Sequence, residues 1–415
     1  MKNGLRPAFI ALFFAWLVYL FSYVSRMSWP PIIPLASQDL GINAAQAGSF
    51  MTAFYIGYVI TQIPGGFLTD RYGYRKVLLG SLLIISVSTL LTGFVDSFTL
   101  GLATRCLAGI GSGAIFSAGL LAITDWFPEN KRGMANGLFM TSTSLGVSLV
   151  NLYVPTLSKG YGWRTAFLVS GLLPLLGLIA AYFLLKERPR VEQKTKEPQN
   201  NQSYWKDVIL LFKNRNLLLT GIAGFGGQWA TLGIATWANT YLNKSLHLSL
   251  VQAGLFMSFF GMAALLCKPI TGILSDFVNR KVLSFWILLL LGPMLLWFGA
   301  NQNESYLYFL LPAIGVLGYA FYPPLNTLIC DSVEKRFVGT ASGLVNAMWQ
   351  LGALIAPLAV GAVIDATHNY FYVFATLGIG PVLGAFAILF VKLENSAVVL
   401  KVEEEVAVTK EPQMS

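Results

Sequence analysis

Twelve apolar runs, each about as long as a helix must be to cross a bilayer, decide what this chain can fold into. They lie near residues 8–34, 46–68, 77–95, 98–124, 133–157 and 165–185, and again near 216–241, 250–274, 282–300, 305–330, 338–364 and 370–391. About 20 mostly apolar residues span the hydrocarbon core as a helix. The connections are short, so neighbouring helices run antiparallel. The first run is too long for the apolar stretch of a cleaved signal peptide, about 7–15 residues, and is expected to remain as a helix.

Composition agrees. Of 415 residues, 55% are hydrophobic and 11% are charged, against roughly 25% charged in soluble domains. That excess needs lipid as its solvent. Glycine (40) and proline (18) are plentiful, as they are in membrane helices. Cys106, Cys267 and Cys330 fall inside or at the ends of apolar runs. They are read as small core residues, not as a disulfide framework or a zinc site.

The net charge of +9 is distributed unevenly. With the N-terminus in the cytoplasm, 22 of the 28 basic residues face that side, among them Arg71, Arg75, Lys76, Lys131, Arg132, Arg280, Lys281, Lys335 and Arg336. Lys159, Arg164 and Lys244 face outward, and Arg26, Arg105 and Lys268 fall inside spans. Basic loops on the cytoplasmic side set membrane topology, which explains the charge without a nucleic-acid partner. Both termini are then cytoplasmic. His247 and His368 are expected in outer loops, facing water.

The apolar-poor stretch around residues 186–215 reads as a linker. The expected organisation is an N-terminal six-helix bundle (1–189), a cytoplasmic linker (190–212), a C-terminal six-helix bundle (213–395) and a flexible cytoplasmic tail (396–415). The halves are copies. At an offset of 206 residues, Gln46-Ala47-Gly48 meets Gln252-Ala253-Gly254, Asp70 meets Asp276, Asp125 meets Asp331, and Leu145-Gly146 meets Leu351-Gly352. Internal repeats of this size mark secondary transporters, with the substrate site near the midplane between them.

Between spans 2 and 3 the chain runs Gly66-Phe-Leu-Thr-Asp70-Arg71-Tyr-Gly73-Tyr-Arg75-Lys76, and after span 8 Gly272-Ile-Leu-Ser-Asp276-Phe-Val-Asn-Arg280-Lys281. This loop resembles the signature of the major facilitator superfamily, and the resemblance covers essentially the whole chain. It implies two pseudo-symmetric six-helix bundles, an all-α integral membrane fold. It also implies a charged latch between the halves that favours the outward-open state. That latch would use Asp70, Arg71 and Arg75 with Asp125 and Arg132, and Asp276 and Arg280 with Asp331 and Arg336. The alternative is a set of charges that only fixes topology.

A narrower resemblance rests on Tyr55-Ile-Gly-Tyr58-Val-Ile-Thr-Gln62-Ile-Pro64, Trp126-Phe127-Pro128, Gly162-Trp163-Arg164-Thr-Ala166-Phe167 and Thr236-Trp237. These pieces look like the anion:cation symporter branch, whose members carry sugar acids, sialic acid and other small organic anions.

Ionisable groups at bilayer depth default to function. Tyr19, Tyr23 and Arg26 share one helix face by their i, i+4, i+7 spacing. Two phenols and a guanidinium can hold a carboxylate, the arginine bidentately. The resemblance supports this assignment, since the symporter branch and the organophosphate-antiporter branch both place an arginine here. The alternative is an arginine that snorkels to the outer interface. Arg105, followed by Gly109 and Gly113, resembles the family's span-4 motif. It is either a second anion contact or a buried structural cation. Lys268 is expected to snorkel toward the cytoplasmic interface.

No carboxylate is placed at mid-membrane. Ser25 and Ser112 stand where the symporter branch often carries acids, which argues against proton symport through a titrating carboxylate there. Further substrate contacts are expected from Tyr55, Gln228, Trp229, Tyr319, Tyr322, Asn326, Asn346, Trp349 and Gln350, with Trp237 and Asn239 on the same second-half face. Trp and Tyr near helix ends also form interface belts.

The expected function is transport of a small organic anion by alternating access, secondary active or facilitative. The expected protein is a monomer in a bacterial inner membrane, with H+ or Na+ as a possible coupling ion and no cofactor or metal. The alternatives are an exporter of drugs or metabolites and a non-transporting membrane sensor. No Ser-His-Asp set, H-E-x-x-H motif or paired intramembrane carboxylate supports an enzyme.

Overall fold

The computed structural model describes residues 5–187, 211, 213–333 and 337–392. Most of the expected linker, the tail from 393, and Lys335 with Arg336 lie outside the described residues. Every regular element described is helical. Span 1 is Leu5–Met27, a 3-10 turn Pro30–Ile32 and Ile33–Leu40. Spans 2 and 3 are Ala44–Tyr72 and Tyr74–Thr92, and span 4 is Phe98–Gly113 continued by Ile115–Trp126. Spans 5 and 6 are Glu129–Tyr161 and Trp163–Leu184. In the second half, spans 7, 8 and 9 are Arg215–Lys244, Leu250–Phe277 and Arg280–Ala300, and span 10 is Glu304–Ala320 with Tyr322–Asp331. Spans 11 and 12 are Val338–Thr367 and Tyr370–Leu389.

Eleven of these are long and apolar enough to cross a membrane. Span 2, with 29 residues, is long enough, but Gln46, Ser49, Thr52, Thr61, Gln62 and the charged Asp70-Arg71 end dilute its hydropathy. It packs between span 4 and span 11, where Thr52 is buried and Gln46, Ser49, Thr61 and Gln62 are half-buried, while Asp70 and Arg71 are exposed.

The repeat extends to backbone geometry. Asn43 and Gln46 form a capping box at the start of span 2, and Ser249 and Gln252 form its copy at the start of span 8. Gly41 has φ +62° and His247, 206 residues on, has φ +56°. Gly162 has φ +81° and its counterpart His368 has φ +51°. Each turn needs a left-handed residue, a conformation glycine adopts freely and histidine more readily than most. Both histidines are exposed. Arg75 donates to the carbonyl of Leu185 (2.6 Å), and Lys281 donates to that of Val391 (2.9 Å), again one repeat apart.

Span 2 against span 11 and span 5 against span 8 join the halves. The packing is at backbone distance. A Cβ on Gly48 would stand 2.1 Å from the Pro357 carbonyl oxygen, and one on Gly254 2.1 Å from that of Asn151. Thr52 donates to Leu354 O (2.7 Å), and the Asp365 carboxylate accepts from the backbone N–H groups of Ala44 (3.0 Å) and Ala45 (2.8 Å). Asn239 donates to Asn151 Oδ1 (2.9 Å) and Trp237 to Pro357 O (3.0 Å).

All these contacts lie toward the end that carries Asp39, Arg164 and Lys244. At the opposite, basic-loop end the halves stand apart. A Cβ on Gly133, Gly137 or Gly343 would meet nothing within 4 Å, and Ile63 is 83% exposed. One apolar cluster crosses between the halves at the closed end, whereas a second, from Ala8 to Leu185, belongs to the first half alone. Among the described residues the two halves therefore meet at one end and stand apart at the basic-loop end. Of the three cysteines, Cys267 is buried and Cys106 partly so, but Cys330 is exposed. It lies one residue before the end of span 10, beyond the packed region, so the core assignment fails there.

Candidate substrate site

The helix of span 1 ends at Met27, one residue past Arg26, because Pro30 stands where the N–H for Arg26's carbonyl would come. Arg105 of span 4 replaces that donor. Its Nη1 donates to Ser25 O at 2.7 Å and its Nη2 to Arg26 O at 2.8 Å. It is fully buried and stacks on Phe54 with 5.0 Å to the ring centre. A cation on the last carbonyls of a helix meets the negative end of its dipole. Ser25 adds a hydroxyl bond to Thr89 (2.6 Å).

The guanidinium of Arg26, 3% exposed, is held in a cage of four rings. Its carbon lies 4.5 Å from the ring centre of Tyr23, 4.7 Å from Tyr58, and 5.1 Å from Phe54 and Tyr55. Aromatic faces attract a cation. Its Nη1 makes a long hydrogen bond to the Tyr55 hydroxyl at 3.5 Å, and the Tyr58 hydroxyl lies beside the guanidinium. Nε and Nη2 are buried with no partner among the described residues. These two N–H groups lie on the same side of the guanidinium and form the fork that grips a carboxylate bidentately.

The second half closes the space. The Tyr58 hydroxyl lies beside the Gln350 carboxamide. Gln228 Nε2 donates to Gln350 Oε1 at 3.0 Å, and the Tyr322 hydroxyl donates to Gln228 Oε1. Tyr319 stacks on Tyr322 with ring centres 6.2 Å apart. Tyr23, Gln228 and Tyr322 are only half-buried, so this belt of phenols and amides faces the open space between the halves. The fold has built a buried cation beside hydrogen-bonding groups from both repeats.

The sequence pattern of the Major Facilitator Superfamily matches residues 15–357 and, in a second placement, 241–412. The chain belongs to the Major Facilitator Superfamily. A probable sulfoacetate transporter of Cupriavidus necator is 25% identical, the alignment covering 94% of this chain and 95% of that protein. A probable galactarate/D-glucarate transporter of Bacillus subtilis is 24% identical over 95% of this chain and 94% of its own. A solved bacterial homolog of the human lysosomal transporter Spinster, inward-facing and unoccupied, shares the fold at 16% identity. Its TM-score is 0.76, covering 93% of this chain and 95% of that one.

Within this superfamily fold the expected site residues separate into groups. Arg26, Tyr23, Tyr55, Gln228, Tyr319, Tyr322 and Gln350 come together in the belt. Trp349 supports it, with its ring edge-on to Tyr322 (5.9 Å) and its Nε1 donating to Thr220 O (3.1 Å). Tyr19 lies one turn behind, stacked on Phe139 at 4.9 Å and edge-on to Tyr23. Trp229 turns away to donate to Thr376 O (3.1 Å) on span 12. Asn326 is exposed and Asn346 half-buried, and neither hydrogen-bonds to the belt. Both terminal guanidinium nitrogens of Arg105 are committed to backbone.

Three contributors were not expected. Tyr58 and Phe54 complete the cage; Tyr58 follows Tyr55 by three residues on one helix face, a signal present in the sequence. The third is Lys268. It does not snorkel to the interface: its Nζ donates to Thr143 Oγ1 (2.8 Å) and Ser144 Oγ (2.9 Å) of span 5, across the boundary between the halves.

At the basic-loop end, Arg280 pairs with Asp331 (2.6 Å) and Asp276 (3.8 Å) inside the second half. Arg75 is tied to Leu185 O and Tyr182 O (2.8 Å), and Arg132 to Phe127 O and Thr124 O (3.1 Å each), all within the first. Arg71 lies over the Tyr72 ring (5.3 Å). Arg336 is outside the described residues. At the closed end, Arg164 pairs with Asp39, and a cleft of about 510 Å³ opens between Pro34, Gln38, Trp237, Lys244 and His368.

Proposed function

We propose that this chain is a transporter of small organic acid anions, that it works by alternately opening its two ends, and that Arg26 holds the substrate carboxylate. The buried Nε–Nη2 fork of Arg26, unpartnered inside an aromatic cage, carries this reading. A desolvated guanidinium is stabilised by ring faces only in part, and a carboxylate supplies what they lack. The printed names of the relatives, a sulfoacetate and a galactarate/D-glucarate transporter, support the same substrate class. They are bacterial proteins, which supports placement in a bacterial inner membrane.

The basic-loop end is taken as cytoplasmic, by the bias of Lys and Arg. The structure then corresponds to an inward-open state. An anion entering from that side meets Tyr23, Tyr322 and Gln228 first and Arg26 behind them. The described belt contains no carboxylate, which favours exchange, facilitated diffusion or sodium coupling over proton uptake on an acid at this depth. The charged loops at the basic end are read as the latch of the opposite, outward-open state.

The test is thermal stabilisation of the purified protein by carboxylates, phosphate esters, neutral sugars and organic cations, repeated with Arg26→Ala. A ligand that binds the folded protein raises its melting temperature by mass action. Stabilisation by an organic acid that disappears in the variant is the expected result. Stabilisation by neutral or cationic compounds alone, or an unchanged response in the variant, overturns it.

A further inference from the structure

Lys268 brings a second cation to the substrate space, from the other half of the molecule. It precedes Pro269 on span 8 and is half-buried. Two of its three N–H donors are taken by the hydroxyls of Thr143 (2.8 Å) and Ser144 (2.9 Å). Thr143 itself donates to Met140 O (2.9 Å), which leaves its oxygen free to accept from the ammonium. The Nζ also stands 4.8 Å from the ring centre of Tyr319.

From Tyr319 the lining is continuous back to the first cation: Tyr322, Gln228, Gln350, Tyr58, Arg26. Among the described residues no carboxylate lies within ion-pair distance of either Lys268 or Arg26. Two cations on one polar belt, at membrane depth and without a counter-charge, cost the protein desolvation energy that paired ions recover. Hydroxyls solvate an ammonium but do not neutralise it.

We infer that the site has two anionic poles and selects a dianion. Arg26 takes one acidic group by its free fork. Lys268 takes the second, with its remaining N–H or by exchanging a hydroxyl partner for the anion. Gln228, Gln350 and Tyr322 meet the polar middle of the molecule. A monoanion satisfies only one pole. Because Arg26 rides on the first half and Lys268 on the second, a dianion links the two bodies that must move against each other, and a monoanion does not.

This inference rests on the anion reading above, and its test separates the two. Affinities are measured by stabilisation and competition for two matched series, galactarate with galactonate and galactitol, and sulfoacetate with acetate. The proteins compared are the wild type, Lys268→Gln, Lys268→Arg and Arg26→Gln. At least one dianion should bind the wild type roughly tenfold or more tightly than its monoanion, the factor that one charge-assisted hydrogen bond gives. Lys268→Gln should bring that dianion down to the monoanion's affinity while the monoanion changes less than about twofold. Lys268→Arg should keep the preference, and Arg26→Gln should abolish binding of both.

Galactonate or acetate binding in Lys268→Gln shows that the variant is folded. Equal binding of dianion and monoanion to the wild type, lost together in Arg26→Gln, leaves the anion reading standing and overturns the two-pole inference. So does a Lys268→Gln variant that weakens both acids alike, which would make Lys268 a structural bolt between spans 5 and 8. If no acid in either series binds the wild type, the anion reading falls and the two-pole inference with it.

Discussion

The Nη2 group of Arg105 donates a hydrogen bond to the carbonyl oxygen of Arg26, at 2.8 Å: one buried arginine holds the backbone of the other. The same side chain grips Ser25 O at 2.7 Å, so the end of the span-1 helix is set by span 4. The direction of the Arg26 guanidinium follows from that anchor.

Arg105→Leu should therefore do two kinds of damage. It removes two charge-assisted hydrogen bonds worth about 1.5–3 kcal/mol each and leaves two buried carbonyls unpaired. The melting temperature should fall, and anion affinity should fall beyond what the stability loss explains. Arg105→Lys, which cannot reach both carbonyls in a planar fork, should recover part of the stability and less of the affinity. Melting curves with and without ligand read both effects.

Gly48 bears on the closed end. A methyl there would sit 2.1 Å from the Pro357 carbonyl oxygen. Gly48→Ala should force spans 2 and 11 apart and raise the population open at that end. A cysteine placed at Thr52, 8% exposed in this state, should then react faster with a membrane-impermeant thiol reagent. Gly343→Ala, whose methyl would meet nothing within 4 Å, should leave the rate unchanged.

Asp365 spans the same boundary, its two oxygens taking the Ala44 and Ala45 N–H groups at the start of span 2. A carboxylate at a helix N-terminus is worth about 0.3–2 kcal/mol, and that contact breaks whenever this end opens. Asp365→Ala should shift the balance toward the open end by roughly two- to thirtyfold. Distances between spin labels on spans 2 and 11 would show it. An unchanged distribution would mean the contact is not specific to the closed state.

Tyr322 and Gln228 line the middle of the belt. A site that hydrogen-bonds substrate hydroxyls rejects analogues that lack them. Tyr322→Phe should weaken a hydroxylated acid that stabilises the wild type by roughly five- to thirtyfold and leave its hydroxyl-free analogue (adipate, where that acid is galactarate) nearly unaffected. A parallel loss for both would assign Tyr322 to packing.

Much of this was legible in the chain. The offset of 206 residues foretold the pseudo-symmetric bundles, and it reaches down to matching capping boxes at Asn43 and Ser249. Helical spacing put Tyr23 and Arg26 on one face. Spacing does not say which helix lies opposite, and that limit explains the misses. Thr143 and Ser144, the partners of Lys268, are over a hundred residues away, so a lysine that crosses between the halves looked like one reaching for the interface. Trp229 sits on a helix that contributes to the belt but turns to span 12, and Asn326, one turn past Tyr322 on the same helix, is exposed and makes no hydrogen bond to the belt among the described residues. Arg105 resembled a ligand-binding arginine as much as a helix anchor until the carbonyls it holds were located beside Pro30.

The backbone-to-backbone contact of Gly48 with Pro357 and of Gly254 with Asn151 has an electrical consequence. Where main chains touch with no side chain between them, no file of water can thread the seam, and protons hop along such files. At these two contacts the closed end should thus insulate as well as gate. Solute can then cross only as fast as the halves exchange positions, and the membrane keeps its voltage while they do.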